Sequence, residues 1–231
     1  MFLNYYSSMI FLIPAIIFAM AAQGAVKRNF EKYSKIRNQR NLSGAEAARR
    51  VLDQNGLSSI QINKISGNLT DNYNPRNKTL NLSSKVYEDK TISSVSIACH
   101  EVGHAIQHAN NYVPLMLRNG IVPVVNIASK ASWPLIFIGI ILSTRNEIGG
   151  MLFNIGVITF IVVIIFHLIT LPVELNASNR AIRQMEELYI VDEIEIKGSK
   201  KVLRAAAMTY VAALAVAAAN LIRILAIRGS R

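Results

Sequence analysis

Long apolar blocks alternate with polar stretches along this chain. The first block, about Tyr5 to Val26, carries no charge and has the roughly 20 residues needed to cross a bilayer. A second runs from about Ile121 to Leu142 with Lys130 inside it, and a third from about Ile148 to Pro172. Only Thr144-Arg145-Asn146-Glu147 separates these two, and so short a connector predicts an antiparallel hairpin. A fourth block, about Leu203 to Ile227, is rich in Ala, with Arg204 and Arg223 near its ends. Its small residues suit close helix packing, which favours a span over a helix lying on the membrane surface.

The polar stretches read as a small folded domain. Ser43 to Asn55 predicts a helix, with Ser43 as N-cap, Glu46 completing a capping box and Gly56 past the end. Ile60, Ile62 and Ile65 predict a short strand, closed by Ser66-Gly67-Asn68, and Asn74-Pro75 marks a turn. Thr79 to Leu82 alternates polar and apolar and predicts a second, edge strand. Thr91 to about Asn111 predicts a helix that stops before Pro114. Val173 to Val202 is helical in pattern and mixed in charge. The predicted organisation is therefore an N-terminal transmembrane anchor (1–26), a small folded domain (27–120) and a transmembrane hairpin (121–172). A helical segment (173–202) and a C-terminal transmembrane or membrane-associated helix (203–231) follow. The fold class is a mainly α integral-membrane protein of about four transmembrane helices with a small α+β domain.

Composition sharpens this picture. Hydrophobic residues make up 52% of the chain and charged ones 17%, below the quarter usual for soluble domains. The net charge of +11 comes mainly from Lys and Arg beside apolar blocks, notably Lys27, Arg28, Lys32, Lys35, Arg37 and Arg40. The positive-inside rule then places Lys27 onward in the cytoplasm, with the first block retained as an anchor. No nucleic-acid-binding motif accompanies the charge, so nucleic acid is not an expected partner. A lone cysteine, Cys99, excludes an intrachain disulfide.

The chemistry concentrates in His100-Glu101-Val102-Gly103-His104. Histidines four apart share one helix face, where both rings reach a single ion, and zinc suits imidazole. Glu101, one residue past the first histidine, is placed to take a proton from zinc-activated water and return it to the leaving amine. Gly103 leaves room for another backbone to pack against the helix. A catalytic zinc takes three protein ligands and keeps one position open. His108 is a poor third, being about 12 Å from His100 along a straight helix, and Cys99 projects about 100° away from His100. Glu174, just past the third apolar block, is the better choice, because two spans between His104 and Glu174 return the chain to the same membrane face.

These residues resemble the YugP-type neutral zinc metallopeptidases of bacterial membranes. The likeness rests on residues 100–107, on Leu171 to Glu174 with Ala177, Ser178 and Arg180, and on Val202-Leu203 with residues 205–213. The stretches Asn72 to Pro75 and Leu80 to Ser83 carry it further. The resemblance implies a zincin-like unit with one Zn2+ on His100, His104 and Glu174 and with Glu101 as base. It extends distantly to the HtpX and CAAX-protease class. Family members tend to carry an acid where this chain has Asn176, which implies a differently built support for the ligands. His108, Asn176, Ser178, Arg180 and Tyr210 are candidates for orienting a ligand or stabilising a transition state. Asn81, on the predicted edge strand, is a candidate for pairing with an extended substrate.

The expected function is a multi-pass, membrane-bound zinc metalloendopeptidase acting on a protein or peptide near the cytoplasmic membrane face. An intramembrane site fits less well, given the polar residues Ser93, Ser94, Ser96, Gln107 and Asn110 around the motif. The alternative is a non-catalytic zinc-binding membrane scaffold or sensor, which calls for a fourth protein ligand. Expected partners are a peptide substrate and the lipid bilayer; a regulatory membrane partner has room to act but no sequence feature identifies one.

Overall fold

The computed structural model describes residues 2–142 and 146–229. It is mainly helical, with α1 (Phe2–Tyr33), α2 (Gly44–Gln54), α3 (Ser84–Glu88), α4 (Ile92–Ala109), α5 (Val113–Leu142), α6 (Glu147–Glu187) and α7 (Glu195–Gly229). One small sheet is formed by β1 (Gln61–Ile65), β2 (Asn72–Asn74) and β3 (Thr79–Ser83). Chain contacts group these into two units. One comprises Met1–Ala21, Met116–Leu171 and Thr209–Arg231; the other comprises Ala22–Leu115 and Pro172–Met208.

In the first unit, α5, α6 and α7 are each long and apolar enough to cross a membrane. Much of their surface is open, with Ile127, Phe137, Ile148, Met151 and Ile158 exposed, as lipid-facing residues are. Ile136, Phe153, Phe160 and Ile224 form the buried cluster between the helices. A Cβ on Gly139 would stand 2.5 Å from the Phe153 nitrogen, and one on Gly156 would stand 2.8 Å from that of Ile136. Glycine at these positions is what lets α5 and α6 approach. Of the predicted connector, residues 144 and 145 lie outside the described residues.

In the second unit, α2 buries Ala47, Ala48, Val51 and Leu52 on one stripe, at the spacing of an amphipathic helix. Its capping box forms as the sequence predicts: the Glu46 N–H donates to Ser43 Oγ, and the Ser43 N–H donates to the Glu46 carboxylate. Gly56 then adopts φ +70°, the left-handed exit that favours glycine. Ser43→Ala is expected to cost about 1 kcal/mol, read as a thermal midpoint lowered by roughly 2–4 °C.

The sheet corrects one expectation. Its order is β1-β3-β2, with β3 parallel to β1 and antiparallel to β2. Thr79–Ser83 is therefore the middle strand and not an edge. Asn81 is the central rung of an asparagine ladder, accepting from Asn63 and donating to Asn72. Its backbone is taken up by strands on both sides, so it has no free edge to offer a peptide. The reason is long-range: Leu80 and Leu82 are fully buried, and β1 and β2 both pack beside the strand that carries them.

Helix α4 is buried nearly all round, so its polar residues serve packing and not solvation. Ser96 Oγ donates to the Ile92 carbonyl, Ser94 Oγ meets Thr91 Oγ1, and Gln107 is fully enclosed. Helix α6 runs without interruption through Pro172 to Glu187; it buries Val173 and Ala177 and carries Ala181 and Met185 into the core of the second unit.

Candidate metal centre

His100 and His104 stand one turn apart on α4, their rings 4.9 Å apart between centroids and nearly perpendicular. From α6, Glu174 Oε2 comes within 3.3 Å of His100 Nε2 and 3.5 Å of His104 Nε2. One ligand atom from each of the three lies within 4.8 Å of the others. This spacing fits zinc: two ligands on a tetrahedral ion at 2.0–2.1 Å stand about 3.4 Å apart. Two imidazoles and a carboxylate are also a donor set that zinc accepts. Among the described residues no fourth His, Cys, Asp or Glu joins the group.

The approach of α4 to α6 depends on Gly103. A Cβ there would lie 2.5 Å from the Ala177 carbonyl oxygen, so only a glycine lets Glu174, one turn before Ala177, reach the histidines. The rings are held from behind. His100 Nδ1 lies 3.1 Å from Ser178 Oγ, and His104 Nδ1 lies 3.0 Å from Gln107 Oε1. With both Nδ1 atoms engaged, both Nε2 atoms face Glu174.

Glu101 is fixed from β2, where the Tyr73 N–H donates to its Oε2 at 3.1 Å. Burial raises its carboxyl to about 7; the neighbouring His100 opposes the rise, and the like charges of Glu174 and Asp71 add to it. Asp71 is itself raised by burial, against bonds from the Ser83 N–H and hydroxyl that favour its charged form. Glu174, beyond the apolar stretch of α6, would be raised by burial, but hydrogen bonds from His100 and His104 outweigh this and leave it below the ordinary carboxylate range.

His108 lies apart from the three-residue group and pairs with Tyr73, whose hydroxyl is 2.9 Å from its Nδ1. Cys99 is buried, with its thiol pushed up to about 12 by desolvation. Asn176 and Arg180 bond each other, Arg180 Nε donating to Asn176 Oδ1 at 2.8 Å. Tyr210 belongs to the other unit. Two residues that touch the centre, Tyr73 and Gln107, were not singled out by the sequence. Gln107 had a signal, since it lies three residues past His104 and so on its face of the helix. Tyr73 lies in the Asn72 to Pro75 stretch that carries the family resemblance, but its contact with Glu101 had no signal, because strand register is not written in a turn-rich stretch.

The sequence from residue 8 to 229 matches the profile of the family described as "Putative neutral zinc metallopeptidase". The chain is also similar to the "Putative membrane protease YugP" of Bacillus subtilis (strain 168), at 46% identity over 212 residues, 91% of this chain and 92% of that protein. No solved structure matches it.

Proposed function

Because the chain belongs to this family of neutral zinc metallopeptidases, we propose that it is a membrane-bound endopeptidase that hydrolyses peptide bonds at a site built by His100, His104, Glu174 and Glu101. The observation that carries this reading is the meeting of three donor atoms within 4.8 Å beside a fourth, acidic side chain that is not needed to hold the ion. His100, His104 and Glu174 would hold one Zn2+. When bound, zinc polarises the scissile carbonyl and brings the pKa of a coordinated water toward about 7. The Glu101 carboxylate, aimed by the Tyr73 N–H, accepts a proton from the attacking water and returns it to the leaving amine. A site of three protein ligands would keep a position for water and substrate, which favours an enzyme over a scaffold that would close on zinc with four.

The three long apolar helices support a multi-pass membrane protein, with α1 as the proposed fourth span. The basic run from Lys27 to Arg40 supports a cytoplasmic site, and the proposed substrate is a protein or peptide at that face. The test is to purify the whole chain in detergent with zinc and assay a mixed peptide library by mass spectrometry. Cleavage at internal bonds, stopped by a zinc chelator and restored by added zinc, is the expected result. A zinc-loaded protein that cleaves nothing in the library would remove the enzymatic reading.

A further inference from the structure

Gln107 is a large polar side chain with no exposure at all, and every hydrogen-bonding atom of its amide is engaged. Its Nε2 lies 2.8 Å from the Val173 carbonyl oxygen and 3.0 Å from Asn176 Oδ1, and its Oε1 lies 3.0 Å from His104 Nδ1. A backbone carbonyl can only accept, so the nitrogen of the amide must face Val173. The oxygen must then face His104, so Nδ1 is a hydrogen-bond donor, and Nε2, 3.5 Å from Glu174 Oε2, is the nitrogen whose lone pair goes to a metal once its own proton is displaced. Asn176 is set in the same sense, because Arg180 Nε donates to its Oδ1 at 2.8 Å and a guanidinium cannot accept.

We propose that Gln107 is a positioning residue that fixes the tautomer and ring angle of His104 for zinc, with Asn176 and Arg180 setting the sense of the hydrogen-bond chain. The inference rests on the zinc reading above and adds the device that aims the second ligand. It differs from a carboxylate–histidine pair in charge: Gln107 offers a neutral carbonyl, as Ser178 offers a neutral hydroxyl to His100. Neither raises the basicity of its imidazole as a carboxylate does. The cation that steadies this chain sits two residues removed from the ring. Without Gln107, the His104 N–H would be buried with no acceptor and the ring would be free to turn.

The test is zinc affinity, measured on the detergent-purified full chain by competition with a chromophoric chelator. Gln107→Met is expected to bind zinc 10–100-fold more weakly. Asn176→Asp keeps an acceptor for both Gln107 and Arg180 and is expected to stay within about threefold of the parent, whereas Asn176→Leu should fall roughly tenfold. Nitrogen-15 spectra of the zinc-loaded protein add a readout that general loosening would not give. His104 should show zinc on Nε2 and a slowly exchanging proton on Nδ1, and Gln107→Met should disturb His104 while leaving His100 unchanged. Unaltered affinity in Gln107→Met, equal disturbance of both rings, or zinc on His104 Nδ1 would overturn the proposal. If Gln107→Met does not fold, the parent spectrum and the Asn176 pair decide. A parent protein that binds no zinc would instead overturn the metal reading itself, and this inference with it.

Discussion

Zinc-loaded protein carrying Glu101→Gln is expected to lose peptide turnover by about 10²–10⁴-fold, the usual contribution of a positioned general base, while still holding one zinc per chain. Glutamine keeps the shape of the side chain and can accept from the Tyr73 N–H, but it cannot take a proton from water. Glu101 is not among the three clustered donors, so metal content and turnover should separate cleanly. The same variant should be more stable than its parent when zinc is removed, and only at higher pH. Burial lifts the Glu101 carboxyl from 4.5 to about 7 in the folded protein. A carboxyl raised on folding contributes its full stability below the unfolded value and loses that contribution as pH rises through the folded one. Metal-free Glu101→Gln should therefore gain on the order of 2 kcal/mol at pH 8, after discounting for the partial exposure of the residue. The gain should vanish toward pH 4.5, and thermal melts across that range read it. In the loaded enzyme the adjacent cation favours the carboxylate, so the acid limb of the activity profile should lie below pH 7.

The second large effect belongs to Gly103. Gly103→Ala places a methyl group 2.5 Å from the Ala177 carbonyl oxygen, 3.0 Å from its carbon and 3.1 Å from its Cα. These are backbone atoms of a helix and cannot swing aside as a side-chain tip would, so α4 and α6 must move apart. Overpacking of this kind costs about 1–3 kcal/mol. The functional cost should be larger than the stability cost, because the same crossing brings Glu174 within 3.5 Å of both histidines and a ligand moved off by even 1 Å no longer shares the ion. Zinc affinity is expected to fall by at least 10²-fold, roughly 2.7 kcal/mol. Gly120→Ala, at a helical site with nothing within 4 Å, is the control and should be neutral or stabilising by up to about 1 kcal/mol. Equal behaviour of the two variants would mean that the close helix crossing is not what assembles the centre.

How much of this could be read from the sequence follows from the range of the forces involved. The capping box at Ser43 and Glu46, the left-handed Gly56 and the shared helix face of His100 and His104 are local, and each is written in a few adjacent residues. The meeting of Glu174 with the histidines was legible for a different reason: two apolar blocks lie between them, each long enough to cross a membrane, and an even number of crossings would return the chain to its starting face. The place of Asn81 was not legible. Alternation in Thr79–Ser83 tells which side chains are buried and says nothing of how many strands lie alongside. The run of α6 through Pro172 also exceeds local rules, since a helix whose Val173, Ala177 and Met185 are buried is held by packing that offsets the lost backbone bond. The role of Gln107 was not legible either, because its partners, Val173 and Asn176, are more than sixty residues away.

Whether His100, His104 and Glu174 grip one ion together is decided by zinc-edge X-ray absorption on the purified full chain and on Glu174→Ala. The expected spectrum is that of one zinc per chain bound by two imidazole nitrogens and by oxygen at about 2.0–2.1 Å, with the ion lost or far more weakly held in the variant. Sulfur at about 2.3 Å, a third imidazole, or a zinc shell unchanged by Glu174→Ala would contradict it.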